Sequence, residues 1–323
     1  MIVKSSYKAP FPFTYGHINT VFPALFRRIK TFSYVRKRME LEDGDFMDLD
    51  WSKVGSDRLV LLLHGLEGSS DSNYIKGMIK AFNRHAWDGV ALNFRGCSGE
   101  PNRLHTGYHM GASADLKAVV NYIHSFNQYK ELVLVGFSLG GNVLLKYLGE
   151  EQEHLPAFLK KAVAFSVPCD IPSANVEIDK WHNRLYLARF LRSLNEKLKI
   201  KSRLFPDRVQ LPKGRLPRNF QEFDDYYTGP VHGFKDAQDY WMSCSSKRFV
   251  SGIKIPSLLV NAKDDSFLSE ACYPYEIAQN HPFFHLETPQ NGGHVGFVDF
   301  EDYRQYWSEL RALDFVQKGY LND

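Results

Sequence analysis

The sequence predicts an α/β fold: a mostly parallel, doubly wound sheet with an antiparallel hairpin ahead of it and a cap inserted late. Three observations carry this. Short, nearly continuous apolar runs end at glycine or other turn formers, as strands buried on both faces do. Stretches with helical apolar spacing separate those runs, and alternation of this length makes βαβ units and hence a parallel sheet. The rhythm lapses between about residues 170 and 250 and then resumes. The predicted partition is a core of residues 1–169 and 251–323 with a cap of residues 170–250.

The elements follow in order. "RMELEDGDFMDLDW" (38–51) alternates around Asp43-Gly44, as an antiparallel hairpin does. "RLVLLLHG" (58–65) reads as a buried strand, and "NYIKGMIKAFNRHA" as a helix with Tyr74, Met78, Ile79 and Phe82 on one side. "WDGVALNF" is the next strand, followed by the turn-rich loop "RGCSGEPNR". "SADLKAVVNYIHSF" reads as a helix with Ser113 as its N-cap. "ELVLVG" is a strand, "LGGNVLLKYLGE" a helix and "KKAVAFSVP" a strand. Beyond residue 250 come a strand in "IPSLLVNAKDD", a helix in "SEACYPYEIAQ", a strand in "FFHLETP" and a last amphipathic helix in "DYRQYWSELRALDFVQ".

Bulk composition narrows the class. The chain has 323 residues, 44% hydrophobic and 24% charged, as soluble globular enzymes do. An aromatic share of 14% calls for a large apolar surface or pocket, and a net charge of +3 is too small to argue for nucleic acid. The opening residues lack the apolar core of a signal peptide, and no stretch is apolar enough for a membrane span. Cys97, Cys169, Cys244 and Cys272 are scattered, without metal-site or disulfide-framework spacing. The expectation is a reducing, cytoplasmic setting.

The chemistry centres on "VGFSLGGN" (135–142), a G-x-S-x-G motif. On its own that motif is weak. Here it follows a β-branched strand and opens a helix, the setting a nucleophile elbow needs. Gly136 and Gly140 keep side chains out of a turn so sharp that Ser138 sits in a strained conformation. A serine hydroxyl attacks only when an oriented base takes its proton, and this architecture expects the chain order Ser, acid, His. "VNAKDDSF" places Asp264 and Asp265 just past a strand, and "NGGHVGF" supplies His294 in a flexible turn after the next one. In the pattern G-x-x-D that often follows such a strand, Ala262 takes the glycine place, which aligns Asp265 with the acid; Asp264 would cap the following loop. Two amides should bind the oxyanion: Leu139, directly after the serine, and Leu66, from the loop "HGLEG". His64 would brace that loop. His105, His109, His281 and His285 read as ordinary surface or core histidines.

These stretches, with "HGLEGSSDSNY", "NFRGCSGEPNR", "EFDD", "HGF.DA.DYW…CS" (232–245), "AKDDSF" and "GGHVGF", resemble the α/β-hydrolases, and more narrowly the YheT-like, AB-hydrolase-4 group. That group includes bacterial proteins, eukaryotic abhydrolase-domain lipases and yeast medium-chain ethanol acyltransferases. The likeness runs from near residue 40 to about 297, and "GHINTVFPALFRR" resembles the family's opening. It implies a Ser138–Asp265–His294 triad and carboxylic ester chemistry. In the hallmark loop, Arg95 and Arg103 would line or brace the site, or merely hold the loop together.

The cap is the most basic part of the chain. From Lys180 to Arg218 there are twelve Lys or Arg against two acids, Glu196 and Asp207. Leu187, Phe190, Leu191, Leu194 and Leu198 share one helical face, with Arg189, Arg192 and Lys197 elsewhere. Such a helix can cover the site with its charges solvated, lie on an anionic membrane surface, or receive an acidic partner. The resulting expectation is a cofactor-free serine esterase for short- to medium-chain acyl esters, with no metal, nucleic acid or obligate protein partner. An acyltransferase with the same triad and a catalytically idle binding protein are its rivals.

Overall fold

The structure, a computed structural model, describes residues 1–29, 33–300 and 305–318. Its strands are β1 (Ile2–Val3), β2 (Val35–Glu40), β3 (Phe46–Ser52), β4 (Arg58–Leu63), β5 (Asp88–Asn93), β6 (Glu131–Phe137), β7 (Leu159–Phe165), β8 (Ser257–Val260) and β9 (Phe284–Glu287). They form one sheet in the order β1-β9-β8-β7-β6-β4-β5-β3-β2. Neighbours from β5 through β4 and β6 to β9 and β1 are parallel. β2 and β3 are antiparallel, and β3 runs antiparallel to β5. The predicted hairpin is thus the far edge of the sheet. β1, two residues long, caps the other edge and has no counterpart in the sequence reading.

Strand identity follows from burial on both faces. Every residue of β5 is buried, and in β4 only Arg58 is not. Leu59, Leu61 and Leu63 point to the layer holding α3 (Ser113–His124) and α4 (Leu139–Glu151). Val60 and Leu62 point to the layer holding α2 (Asn73–Arg84) and the helix Trp307–Gln317. This period-two partition between two helical layers turns a continuous apolar run into a central strand. The chain leaves β4 for β5 on one side and then crosses to β6 on the other, so the strand order reverses at β4. In doubly wound sheets a ligand crevice opens at the carboxyl ends of the strands at that point. The residues after β4 and β6 are the candidate oxyanion loop and Ser138.

Local corrections have simple causes. Ser113 is the first helical residue of α3 and Ala112 holds the N-cap, because the Ser113 hydroxyl is engaged by Glu150 and by the Gly111 carbonyl. The predicted helix over 269–279 is split by Pro274 into a turn of 3₁₀ helix at Glu270–Cys272 and a short helix Tyr275–Asn280. Residues 302–304 of the predicted last helix lie outside the described residues; Tyr306 and Glu309 form its capping box.

Between β7 and β8 the chain folds as helices, among them α5 (Ile171–Ile178), α6 (Arg184–Leu204) and the helix Ala237–Cys244. Leu187, Leu191 and Leu198 of α6 pack with Val209, Phe223 and Tyr227 into a small core of their own. Near the amino terminus, α1 (Gly16–Phe26) lies beside α2. Among the described residues no helix is long and apolar enough to cross a membrane.

Candidate active site

β6 ends at Phe137, α4 begins at Leu139, and Ser138 alone makes the turn between them. Its backbone has φ 51° and ψ −119°, a region that a non-glycine residue enters only under local constraint. The constraint is visible: the Ser138 amide donates to the Phe165 carbonyl of β7 (2.9 Å), and its carbonyl accepts from Asn142 (3.0 Å). The turn brings backbone against backbone. A Cβ on Gly136 would lie 2.7 Å from the Gly140 carbonyl oxygen, and one on Gly140 would lie 2.5 Å from that of His64. Only glycine fits at either place.

The structure brings the three predicted side chains together. Ser138 Oγ lies 2.9 Å from His294 Nε2, and His294 Nδ1 lies 2.9 Å from Asp265 Oδ2. A carboxylate can only accept, so Nδ1 carries the hydrogen and Nε2 is left to accept from the Ser138 hydroxyl. Asp265 is buried, and its other oxygen accepts from the Phe267 amide (3.0 Å). The Phe267 ring packs on the imidazole with centroids 4.3 Å apart. Asp264 points elsewhere: its Oδ1 accepts from the Gly293 amide (2.8 Å), so it braces the loop that carries His294. Burial raises the pKa of Asp264, while that amide opposes the shift.

The same loop has a second support that sequence reasoning missed. The His294 amide donates to Thr20 Oγ1 of α1 (2.8 Å), and the Val295 amide donates to Ser166 Oγ at the end of β7 (2.9 Å). Asn19, fully buried, accepts from the Val298 amide (3.1 Å) and donates to the Phe13 carbonyl (2.9 Å). The family-like stretch "GHINT" was the available signal, but nothing local says that it meets a loop far away in the chain.

Opposite Ser138 stands the loop after β4. The Gly65 amide donates to Tyr74 Oη (2.9 Å) and the Glu67 amide to Tyr108 Oη (2.9 Å). Among the described residues no acceptor takes the Leu66 or Leu139 N–H. His64 is fully buried. Its Nε2 accepts from the Phe94 amide (3.2 Å), so Nδ1 carries the hydrogen and donates to the Gly65 carbonyl (2.7 Å). Burial pushes its pKa down to about 4, so it stays neutral and braces the loop. Glu67, with φ 53°, ties the loop to α6: its carboxylate accepts from Tyr108 Oη (2.6 Å), Lys197 Nζ (2.7 Å) and Ser193. Lys197 therefore turns inward from the basic helix. So does Lys201, which is buried against the Asn102 and Leu104 carbonyls with its pKa lowered to about 8, chiefly by desolvation.

The hallmark loop is architectural. Arg95 grips Asp115 through two bonds (2.8 and 2.7 Å) and reaches Asp43 and Asp45. It also touches the cavity wall. Arg103 is paired with Glu40, away from Ser138. Ser98 and Asn102 bond Asp48 (2.7 Å) and Asp45 (2.7 Å), pinning the loop to the β2–β3 hairpin. All four cysteines are free and buried. His285 lies buried inside β9, so it is a core residue. His109 departs from the ordinary surface or core reading. It lines a cavity, its Nδ1 accepts from the Gly111 amide (3.1 Å), and burial beside His232 holds its pKa well down.

Two voids meet at Ser138, and a third adjoins them. A neck of about 80 Å³ contains Ser138, Leu139 and His294. Through Leu66, Leu139 and Met110 it adjoins a cavity of about 290 Å³ reaching His109, Phe223, Tyr227 and Tyr240. On the other side a cleft of about 440 Å³ runs between α1 and α6, with Leu25, Tyr186 and Arg189 on its walls.

A family model described as "alpha/beta hydrolase fold" matches residues 58–301, most of the chain. The chain belongs to that α/β-hydrolase-fold family. Among this hydrolase's relatives is YheT of Escherichia coli (strain K12), provisionally named an esterase, 35% identical over 94% of this chain and 91% of its own. The protein named phospholipase ABHD3 of Mus musculus is 29% identical over 82% of this chain and 67% of its own. Of solved structures, the Pyrococcus furiosus esterase Pf2001 superposes with a TM-score of 0.59 at 18% identity, covering 88% of this hydrolase and 92% of that chain. Ferulic-acid-bound Est1E of Butyrivibrio proteoclasticus gives 0.55 at 14% identity, covering 89% and 100%. At such identities the likeness shows the fold.

Proposed function

We propose that this hydrolase cleaves carboxylic esters with short- to medium-chain acyl groups through Ser138, His294 and Asp265. The observation that carries the reading is the unbroken line Asp265–His294–Ser138, 2.9 Å at each link, beside the Leu66 and Leu139 amides, which no acceptor among the described residues takes. Ser138 Oγ attacks the carbonyl carbon as its proton passes to His294 Nε2. The Leu66 and Leu139 amides hold the oxyanion, and Asp265 orients and stabilises the charged imidazole. The C–O bond to the alcohol breaks as His294 protonates the leaving oxygen. Water then gives a proton to His294 and attacks the acyl carbon. The bond to Ser138 breaks, and the proton returns to Oγ. No step calls for a cofactor. Residues 170–250 act as the cap over the core of 1–169 and 251–323, and the cavity beyond Leu139 takes the acyl chain. The names of the relatives, an esterase and a phospholipase, support the same bond class.

The test is hydrolysis of p-nitrophenyl esters from acetate to dodecanoate by the wild type and Ser138→Ala. The expected result is a rate optimum at one chain length and a loss on the order of 10⁴-fold or more in the variant. Equal rates for both proteins would remove Ser138 from the mechanism. Activity in neither, with no fluorophosphonate label on Ser138, would make this an idle binding protein. Ethyl ester formed with added ethanol would make it an acyltransferase.

A further inference from the structure

We propose that the mouth of the cleft between α1 and α6 is a docking surface for an anionic lipid bilayer. The polarity of α1 is inverted. Ile18, Val21 and Leu25 recur at the spacing of a core-facing stripe, yet they are 40%, 37% and 54% exposed, and Phe26 is 66% exposed. The buried residues of the helix are Asn19 and Pro23. The polar side is consumed in holding the histidine loop, so the apolar side is left facing out.

A second apolar patch adjoins it. Trp181, in the turn of 3₁₀ helix before α6, and Leu185, in the first turn of α6, are 81% and 86% exposed. The two patches meet through His17, whose Nδ1 lies 3.1 Å from Tyr186 Oη and whose ring faces His182. Between them runs the cleft that reaches Ser138 and His294, so whatever covers this surface sits over the candidate nucleophile. A contiguous exposed apolar surface around a cleft marks an interaction site.

Charge selects the occupant. Arg28 follows α1, and Arg184, Arg189 and Arg192 stud the outer stripe of α6; all four are exposed, and none is ion-paired among the described residues. Exposed aromatic and aliphatic side chains amid arginines fit the interface plane of a bilayer, apolar groups in the acyl boundary and guanidinium groups at anionic headgroups. The surface lies in the first turns of the basic segment and in α1. Lys197 and Lys201, which the sequence would add to it, face inward.

Co-sedimentation tests this directly, using Ser138→Ala so that the vesicles are not consumed and binding is read apart from catalysis. The variant should pellet with vesicles of phosphatidylcholine and phosphatidylglycerol, should pellet far less with phosphatidylcholine alone, and should be released as salt rises. Adding Trp181→Glu and Leu185→Glu should weaken binding at least about tenfold, while the same pair with Ser138 intact keeps wild-type hydrolysis of a soluble ester. Equal binding to both vesicle types, no binding, or binding unchanged by the pair overturns the proposal. So does a dimer that the pair abolishes, because the patch would then cover a second copy.

Discussion

Replacing Glu67 by Gln and Lys197 by Met, singly and together, measures how far α6 holds the loop that carries the Leu66 amide. The Glu67 carboxylate is only 7% exposed and the Lys197 ammonium 31%, at 2.7 Å. Glu67→Gln keeps the shape and an acceptor for Tyr108, turns its amide N–H toward Ser193 Oγ, and loses the charge facing Lys197. Lys197→Met leaves a nearly buried carboxylate without its counter-ion. Each change should cost about 2 kcal/mol, since charge-assisted bonds of this burial are worth roughly 1.5–3 kcal/mol. The double variant leaves neither charge stranded, so its loss should fall about 1–2 kcal/mol short of the sum.

Activity separates holding from packing. The Glu67 backbone follows Leu66 directly, and its amide and carboxylate both meet the Tyr108 hydroxyl. Deleting an oxyanion donor costs about 10²–10³ in kcat; loosening one should cost Glu67→Gln about tenfold, with KM little changed. Lys197→Met, in which the loop stays tied to Tyr108 and Ser193, should lose stability with a smaller loss of rate. The assays are denaturant unfolding and p-nitrophenyl ester kinetics. Single-variant losses that add within about 0.5 kcal/mol, with kcat untouched by Glu67→Gln, would refute the clamp.

Two further predictions rest on carboxylates. Asp265→Asn should lower kcat on the order of 10⁴-fold by disturbing the His294 tautomer, whereas Asp264→Asn, which still accepts from Gly293, should cost about tenfold or less; equal losses in the two rate measurements would undo the assignment. Burial raises the Asp224 carboxyl, bonded to Trp241 Nε1 (2.7 Å), to about 7. Its folded form therefore holds a proton that the unfolded chain has released: the contribution is full below about pH 4 and is lost as pH rises through about 7. Asp224→Asn should gain stability over the wild type as pH climbs through that window, read from melting midpoints at several pH values, and a pH-independent difference would show that Asp224 titrates normally.

What the sequence disclosed of the site is what a few adjacent residues determine. Gly136, Ser138 and Gly140 form a turn whose sterics depend on their own backbone, so strand, turn and helix could be read from eight letters. The choice of Asp265 over Asp264 came from spacing against the preceding strand; the geometry that separates them is long-range, since one carboxylate meets His294 and the other the Gly293 amide. α1 was legible only as a family-like stretch. Its inner face is selected by Asn19 and Thr20, which bond a loop more than 270 residues on, and its apolar stripe, which faces outward, gives no sign of that. Lys197 and Lys201 fail for a related reason. Charge counting puts every lysine in water, but a buried carboxylate and a pair of loop carbonyls can each hold an ammonium in place. In both cases a polar group at a core position joins the cap or the amino terminus to the loops around Ser138. Polar residues that break an amphipathic pattern are therefore where this chain's site support has to be sought, and the apolar residues they displace outward are where its contacts with other surfaces begin.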